Sequence, residues 1–446
     1  MTDASVITAC DLTPITPLSG EDEAWLKELL READVTALKL GLSGAGDTEE
    51  SPLAYFDSRA GEWFAGRFVG ELRYKDRTLR ILPRFGMPVL SRWLSKIWGV
   101  RVLTSQGHEE SSRIWLWELI ARMWAGRLTL AAKHGLPRAR YEERHEGLAI
   151  KGRLLVRESA LRLHTGRSLL VSRTRNPHLD RRIGEILLGA YDCLRRELAH
   201  LGGEPKWLTE RGATLIADLR TGLQGGDGRN SRLERTPVRY TPITETYRPV
   251  VDLSQMIIRQ QPFAASAKGD RPVTGVLLDM AEIWELYVLH LLRYGLVDHE
   301  VVHTGREATV ERWLWESTSA GMPLGALKPD ILVRQLGSDD VVAVIDAKYK
   351  MTIPGPGRPQ GIVREDLYQM AGYLTAFHDA PAIAGILVYP RDGTDGTIAQ
   401  LQQRGHWCLR GGQGRRLSFV GIDCKARVDD TAAEDEALRV IRSRLS

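Results

Sequence analysis

The stretch that decides the fold is Lys328-Pro329-Asp330-Ile331-Leu332-Val333-Arg334-Gln335-Leu336. After Gly337-Ser338-Asp339-Asp340 it continues as Val341-Val342-Ala343-Val344-Ile345-Asp346-Ala347-Lys348-Tyr349-Lys350. Aliphatic residues crowd both halves and a Gly/Asp turn separates them, so the segment reads as two strands of a hairpin. The second run is apolar on both faces, as in a strand inside a sheet, yet it closes on Asp346 and Lys348, types seldom buried unpaired. Side chains alternate along a strand, so positions 346 and 348 project from one face, and Asp330, opening the first strand, can meet them. Two carboxylates and an ammonium converge at one end of the hairpin.

That set has a chemical reading. Mg2+ takes oxygen ligands and is usually held by one or two carboxylates with several waters, a role that Asp330 and Asp346 fit. Lys348 beside them can orient or deprotonate an attacking water and offset charge building on a phosphoryl group. An isolated strand-end Asp/Lys pair would be a salt bridge; the flanking segments give this one its weight.

Upstream, residues 277–293 read as a helix with Leu277, Trp284 and Leu291 on one stripe and Glu285 at its edge. Downstream, a Gly/Pro loop (353–361) leads to a helix over 364–377 whose apolar stripe is Leu367, Met370, Ala371, Leu374 and Phe377. On its other side Gln369 and Tyr373, four apart, can act together. A strand, 384–390, follows. The order helix, hairpin, helix, strand is that of a mixed α/β domain.

Farther out, residues 22–40 pattern as an amphipathic helix, 42–52 as a loop, and 67–86 as two strands around a turn near Lys75-Asp76, with Pro83 closing the second. A tryptophan-rich helix is expected over 114–124 and another over 181–198, with a polar Gly-rich loop at 221–237 and a break at 266–275. These divide the 446 residues into an N-terminal strand-containing domain (1–125), a mostly helical basic middle domain (126–265) and a C-terminal mixed-sheet domain (266–446).

The net charge of +4 is mild, but between Arg138 and Arg182 twelve Lys or Arg face five acids. Arg138, Arg140, Arg153, Arg173 and Arg175 are therefore candidate contacts to DNA or to an acidic partner surface. Hydrophobic residues at 43% and charged ones at 26% are ordinary for a globular chain, and no apolar run is long enough to span a bilayer. With no secretory signal either, the expectation is a cytoplasmic protein with no membrane partner. Cys10, Cys193, Cys408 and Cys424 lie too far apart for a zinc site and read as buried thiols. No GxxxxGK[ST] loop or GxSxG elbow occurs.

Glu285, Pro329-Asp330, Asp346-Ala347-Lys348 and Gln369-Met370-Ala371-Gly372-Tyr373 together resemble the PD-(D/E)xK nuclease core with the QxxxY motif of its RecB-like branch. The likeness narrows to the McrC family, the nuclease subunits of McrBC restriction systems. Met280 to Glu285, Asp346-Ala347-Lys348-Tyr349, Asp366-Leu367-Tyr368-Gln369 and Leu387-Val388-Tyr389-Pro390 are similar to its signatures. So are, more thinly, Gly70-Glu71-Leu72, Leu79 to Arg84, Ile150 to Leu154 and Asn176. Trp284 stands where the family usually has Phe, and Arg84 where it commonly has Lys. The resemblance implies a restriction-endonuclease-like C-terminal domain that cuts DNA with Mg2+, or Mn2+ in its place. It implies catalytic roles for Asp330, Asp346, Lys348, Glu285, Gln369 and Tyr373, with Asp330, Asp346 and Glu285 on the metal. The implied partner is a McrB-like AAA+ GTPase, with residues 1–265 coupling the nuclease to it. The alternatives are a stand-alone RecB-like repair nuclease and a non-cleaving adaptor that stimulates a AAA+ GTPase.

Overall fold

A computed structural model of the chain describes residues 6–33, 39, 51–98, 112–166, 169–199, 207–224, 238–259, 273–304, 312–319, 321–352, 361–377, 382–393, 396–411, 414–425 and 431–445. Most of the loops expected at 42–52, 221–237, 266–275 and 353–361 lie outside these residues. The described chain forms two compact units, Met1–Arg113 with Gly269–Ser446, and Ile114–Lys268.

In the first unit, β1 (Val6–Cys10) leads to α1 (Gly20–Glu32), a helix opened by a capping box between Ser19 and Asp22. The small hairpin β2 (Ala54–Asp57) and β3 (Glu62–Ala65) follows. Next come β4 (Phe68–Tyr74) and β5 (Arg77–Leu82), joined by Lys75-Asp76 with Lys75 at φ 55°, as the turn expected there requires. Helix α2 (Met87–Trp98) closes this segment.

The second unit holds α3 (Ser112–Ala131), β6 (Arg138–Gly147), β7 (Arg153–Leu154), α4 (Val156–His164), β8 (Leu170–Leu179), α5 (Arg181–Leu198), α6 (Glu210–Gln224) and α7 (Arg248–Arg259). Helices prevail, but the basic segment itself is a three-stranded antiparallel sheet in the order β6, β8, β7. Its strands carry charged and polar side chains on both faces, so they show little of the apolar period by which a strand is recognised.

The chain then returns to the first unit as β9 (Val273–Asp279) and α8 (Met280–Gly295). The helix expected from Leu277 starts three residues later, because Val276, Leu277 and Leu278 pair with β4 and Asp279 caps the helix through the Ala281 amide. The N-terminal sheet thus has the order β1, β5, β4, β9. Its β4/β9 seam requires glycine twice. Gly70 and Gly275 sit at φ 151° and 152°, where a Cβ would stand 2.1 Å from the Val276 and Glu71 carbonyl oxygens. The N-terminal strands are therefore not a domain apart from the C-terminal region, as a boundary at 265 would make them; a strand from beyond that boundary completes their sheet.

Beyond α8 come β10 (His299–His303), the exposed hairpin β11 (Trp313–Glu316) and β12 (Pro323–Ala326), then β13 (Ile331–Gln335) and β14 (Val341–Ala347). Helix α9 (Arg364–Ala376), β15 (Ile383–Arg391), α10 (Gly396–Gln403), β16 (His406–Cys408), β17 (Arg415–Asp423) and α11 (Ala432–Leu445) complete the chain. The six-stranded sheet runs β10, β13, β14, β15, β17, β16, antiparallel at both edges and parallel across β14, β15 and β17. Met370, Tyr373 and Leu374 of α9 pack on one face of it. They come close because Gly385 of β15 has no side chain, and a Cβ there would meet the Met370 sulfur at 2.6 Å. Among the cysteines, Cys193 and Cys424 are buried as expected, whereas Cys10 is half-buried and Cys408 exposed.

Where β1 ends, Asp11 is fully buried; its Oδ1 accepts from the Arg84 amide at 2.6 Å. Burial pushes its carboxyl up to about 6, against the smaller opposing pull of Arg84. A carboxyl whose folded-state pKa is raised favours the native state at low pH, and that contribution is lost as pH rises through about 6. Between pH 4 and pH 8 the stability of Asp11→Asn should accordingly gain on the wild type by up to about 3 kcal/mol. Urea unfolding of both chains across that range measures the gap, and a constant gap would refute the shift.

Candidate active site

Asp330 lies at the bend before β13, and Asp346 is the penultimate residue of β14, fully buried. The backbone holds Asp330 in place, its Oδ2 accepting from the Ala347 amide at 2.8 Å. Burial drives the Asp330 carboxyl well above the usual range, and the neighbouring carboxylates of Asp346 and Glu285 drive it the same way, with Lys348 opposing. Both Asp346 oxygens are buried and neither accepts a well-formed hydrogen bond within the described residues; Oδ2 has the Lys348 ammonium 2.6 Å away.

Lys348 falls one residue past the end of β14, yet its side chain turns back into the site. Its Nζ pairs with Asp346 and donates to Gln369 Oε1 at 2.7 Å. Burial alone would lower its pKa, but the carboxylates of Asp346 and Asp330 outweigh that and hold the ammonium above its ordinary value. The two carboxylates thus favour the charged ammonium that Lys348 carries into the site.

Gln369 and Tyr373 do act together, in a chain. Gln369 Nε2 donates to the Tyr373 hydroxyl at 2.7 Å, and that hydroxyl donates to the Lys328 carbonyl at 2.9 Å, two residues before Asp330. The phenol is buried, not solvated. The pair ties the lysine to the backbone that carries the first carboxylate.

Glu285 approaches less closely. It is partly exposed, and its Oε1 engages His303 Nε2 at 2.7 Å. His303, at the end of β10 and opposite Ile331, was absent from the sequence-based set. His303 closes the string His299-Glu300-Val301-Val302-His303, whose HExxH spacing serves zinc only on a helix; as strand β10 it spreads the two histidines over about 13 Å, and the β10/β13 pairing is what brings His303 to the centre. Asp366 is a second buried carboxylate on α9, paired with Lys350 at 2.5 Å and accepting from the Tyr389 hydroxyl at 3.1 Å.

Among the described residues, no three His, Cys, Asp or Glu side chains converge as a ready-made ligand set. A metal ion held here would rest on Asp330 and Asp346 with water completing its shell, and Asp346, with its unsatisfied buried oxygens, fits such a ligand.

The basic candidates meet in the second unit. Arg138, Arg140, Arg173 and Arg175 share one face of the β6/β8 pair by register, and Arg153 of β7 lies opposite Arg173 on that face. Arg173 and Arg175 are both ion-paired to Glu142, at 2.6 and 3.0 Å. The side chain of Arg140 lies outside the described residues.

Fold and site together define a mixed α/β protein with a buried carboxylate and lysine centre on its six-stranded sheet. The chain belongs to the McrBC family: the family model described as McrBC 5-methylcytosine restriction system component matches residues 65–390. No curated protein matches. The chain is similar in fold to a chain in a solved structure described as a refined half-complex from a tetradecameric assembly of Thermococcus gammatolerans McrB AAA+ hexamers with bound McrC. The identity is 17% and the TM-score 0.51, covering 98% of this chain and all of that one. A chain of the Thermococcus gammatolerans McrBC complex is also similar, at 18% identity and a TM-score of 0.37, over 66% of this chain and 88% of that one. No helix among the described residues is long and apolar enough to cross a membrane.

Proposed function

We propose that this chain is the DNA-cleaving subunit of a McrBC-type restriction system, a PD-(D/E)xK endonuclease that cuts 5-methylcytosine-containing DNA together with a McrB-like AAA+ GTPase. The observation that carries this reading is the Asp330, Asp346 and Lys348 centre, whose fully buried Asp346 carboxylate, ion-paired to Lys348, accepts no well-formed hydrogen bond among the described residues. Two adjoining carboxylates in a low-dielectric site resist joint ionisation, and a bound cation relieves that cost. Asp330 and Asp346 would hold Mg2+, or Mn2+ in its place, with Glu285 and His303 alongside; such an ion would supply Lewis acidity and an activated water. Lys348, fixed by Gln369, presents a charged ammonium where negative charge builds on the phosphoryl group. Gln369 and Tyr373 keep that ammonium and the Asp330 backbone in register. Membership of the family and the absence of a phosphate-binding loop support a separate nucleotide-driven partner.

The test is reconstitution: the purified chain, a McrB-like partner, GTP, Mg2+ and plasmid DNA with or without 5-methylcytosine. Cleavage of the methylated plasmid that requires both proteins is the expected result. Cleavage by the chain alone would favour a stand-alone nuclease.

The arginine face of β6, β7 and β8 is assigned to the DNA backbone. Arg138 and Arg153 are its sharpest probes, because Arg173 and Arg175 already share Glu142. Replacing both by alanine should weaken DNA binding and reduce the slope of log affinity against log salt by about 2. An unchanged slope in a fluorescence-anisotropy titration would return the face to ordinary surface.

A further inference from the structure

We propose that Arg84 is a positioning residue for Lys348, holding from the N-terminal segment the three residues that follow the lysine. This rests on the nuclease reading for its functional consequence, though not for its geometry. Strand β14 ends at Ala347, and the Lys348 amide makes a further backbone bond to β15, to the Val388 carbonyl at 2.9 Å. Residues 349–351 then run on outside any strand. A strand end released into a loop frays unless something else holds it.

Arg84 supplies that hold. It lies in the link between β5 and α2, where its amide is anchored on the buried Asp11 carboxylate at 2.6 Å. Its guanidinium lies 4.5 Å from the centre of the Tyr349 ring and 4.7 Å from that of Phe85. One guanidinium nitrogen donates to the Lys350 carbonyl at 3.3 Å, and another reaches the Met351 sulfur at 2.7 Å. Three consecutive residues are thus gripped by one planar fork. A lysine at position 84 would keep the charge but lose the stacking plane and the second donor direction. Phe85 and Trp93 meet the Tyr349 ring edge-on, each at 6.3 Å between centroids, and close the pocket around it.

The consequence falls on Lys348, whose ammonium must stay within 2.6 Å of Asp346 and 2.7 Å of Gln369. With β15 holding its backbone on one side and Arg84 the following residues on the other, Lys348 cannot drift along the strand axis. Misplacing such a group by about 1 Å costs on the order of 100-fold in rate.

The test uses the full chain carrying Arg84→Ala or Arg84→Lys, read by hydrogen exchange and by single-turnover DNA cleavage in the reconstituted system. Amides of residues 348–352 should exchange roughly 10-fold faster in Arg84→Ala while β15 and β17 keep wild-type rates. Cleavage should fall about 100-fold with DNA affinity unchanged, and Arg84→Lys should lie between. Added methylguanidinium should restore part of both losses in Arg84→Ala. Wild-type exchange at 348–352 in a folded variant would overturn the proposal, as would a uniform rise across the whole unit. If Arg84→Ala does not fold, Arg84→Lys carries the same comparison. Should the wild-type chain not cut DNA, the nuclease reading fails, and the exchange pattern still decides whether Arg84 clamps this segment.

Discussion

Asp346→Ala is expected to lower single-turnover DNA cleavage by about 1000-fold or more while leaving the fold intact. Asp346 is fully buried and, apart from the Lys348 ion pair, its oxygens are without good hydrogen bonds among the described residues. Such a group is costly to bury, but its removal also leaves the Lys348 ammonium without its closest counter-ion, so some stability is lost along with function. Lys348 would keep its bond to Gln369. Circular dichroism should therefore stay native, with the unfolding midpoint lowered but a cooperative transition retained. Cleavage by the variant within tenfold of the wild type would exclude Asp346 from the chemistry.

The second large effect concerns stability. Trp93 of α2 is fully buried and touches the rings of Trp284 and Tyr287 on α8 at 5.0 and 5.5 Å, as well as Phe85 and Tyr349. Trp284 in turn donates its indole N–H to the Val388 carbonyl at 3.1 Å, which seats α8 on the six-stranded sheet. Trp93→Ala should cost about 3 to 5 kcal/mol, the range for a large aromatic removed from a packed core. Because that cluster joins the N-terminal segment to the C-terminal sheet, the two should unfold in one transition at a lower denaturant midpoint. If β4 and β5 melted separately from β14 and β15 in the wild type, as followed by hydrogen exchange, the two segments would not be one cooperative unit.

The hairpin around residues 328–350 and the helix over 364–377 could be read from sequence because their cues are local. Aliphatic runs, a Gly/Asp turn and a helical stripe need no knowledge of partners. The convergence of Asp330, Asp346 and Lys348 followed from strand alternation, even though Lys348 lies one residue past the strand. What could not be read depended on distant pairing. Leu277 fits a helical stripe equally well, and only the β4 edge draws it into β9. His303 comes beside Glu285 only through the β10/β13 register. Tyr373, placed on the polar side of its helix, is buried because the sheet and the Lys328 backbone meet it there. The sheet made by residues 138–179 was hidden by its charged side chains, which obscure a strand's alternation. The separation of residues 1–125 as a domain ignored the possibility that a strand 200 residues later could complete their sheet.

The most direct test of the central claim is the metal dependence of cleavage by the wild-type chain with a McrB-like partner, GTP and 5-methylcytosine-containing plasmid. Chelation by EDTA should abolish double-strand breaks while leaving the complex assembled, and re-addition of excess Mg2+ should restore them in the wild type but not in Asp346→Ala. Undiminished cleavage in EDTA, or equal restoration in the variant, would contradict the assignment of this centre.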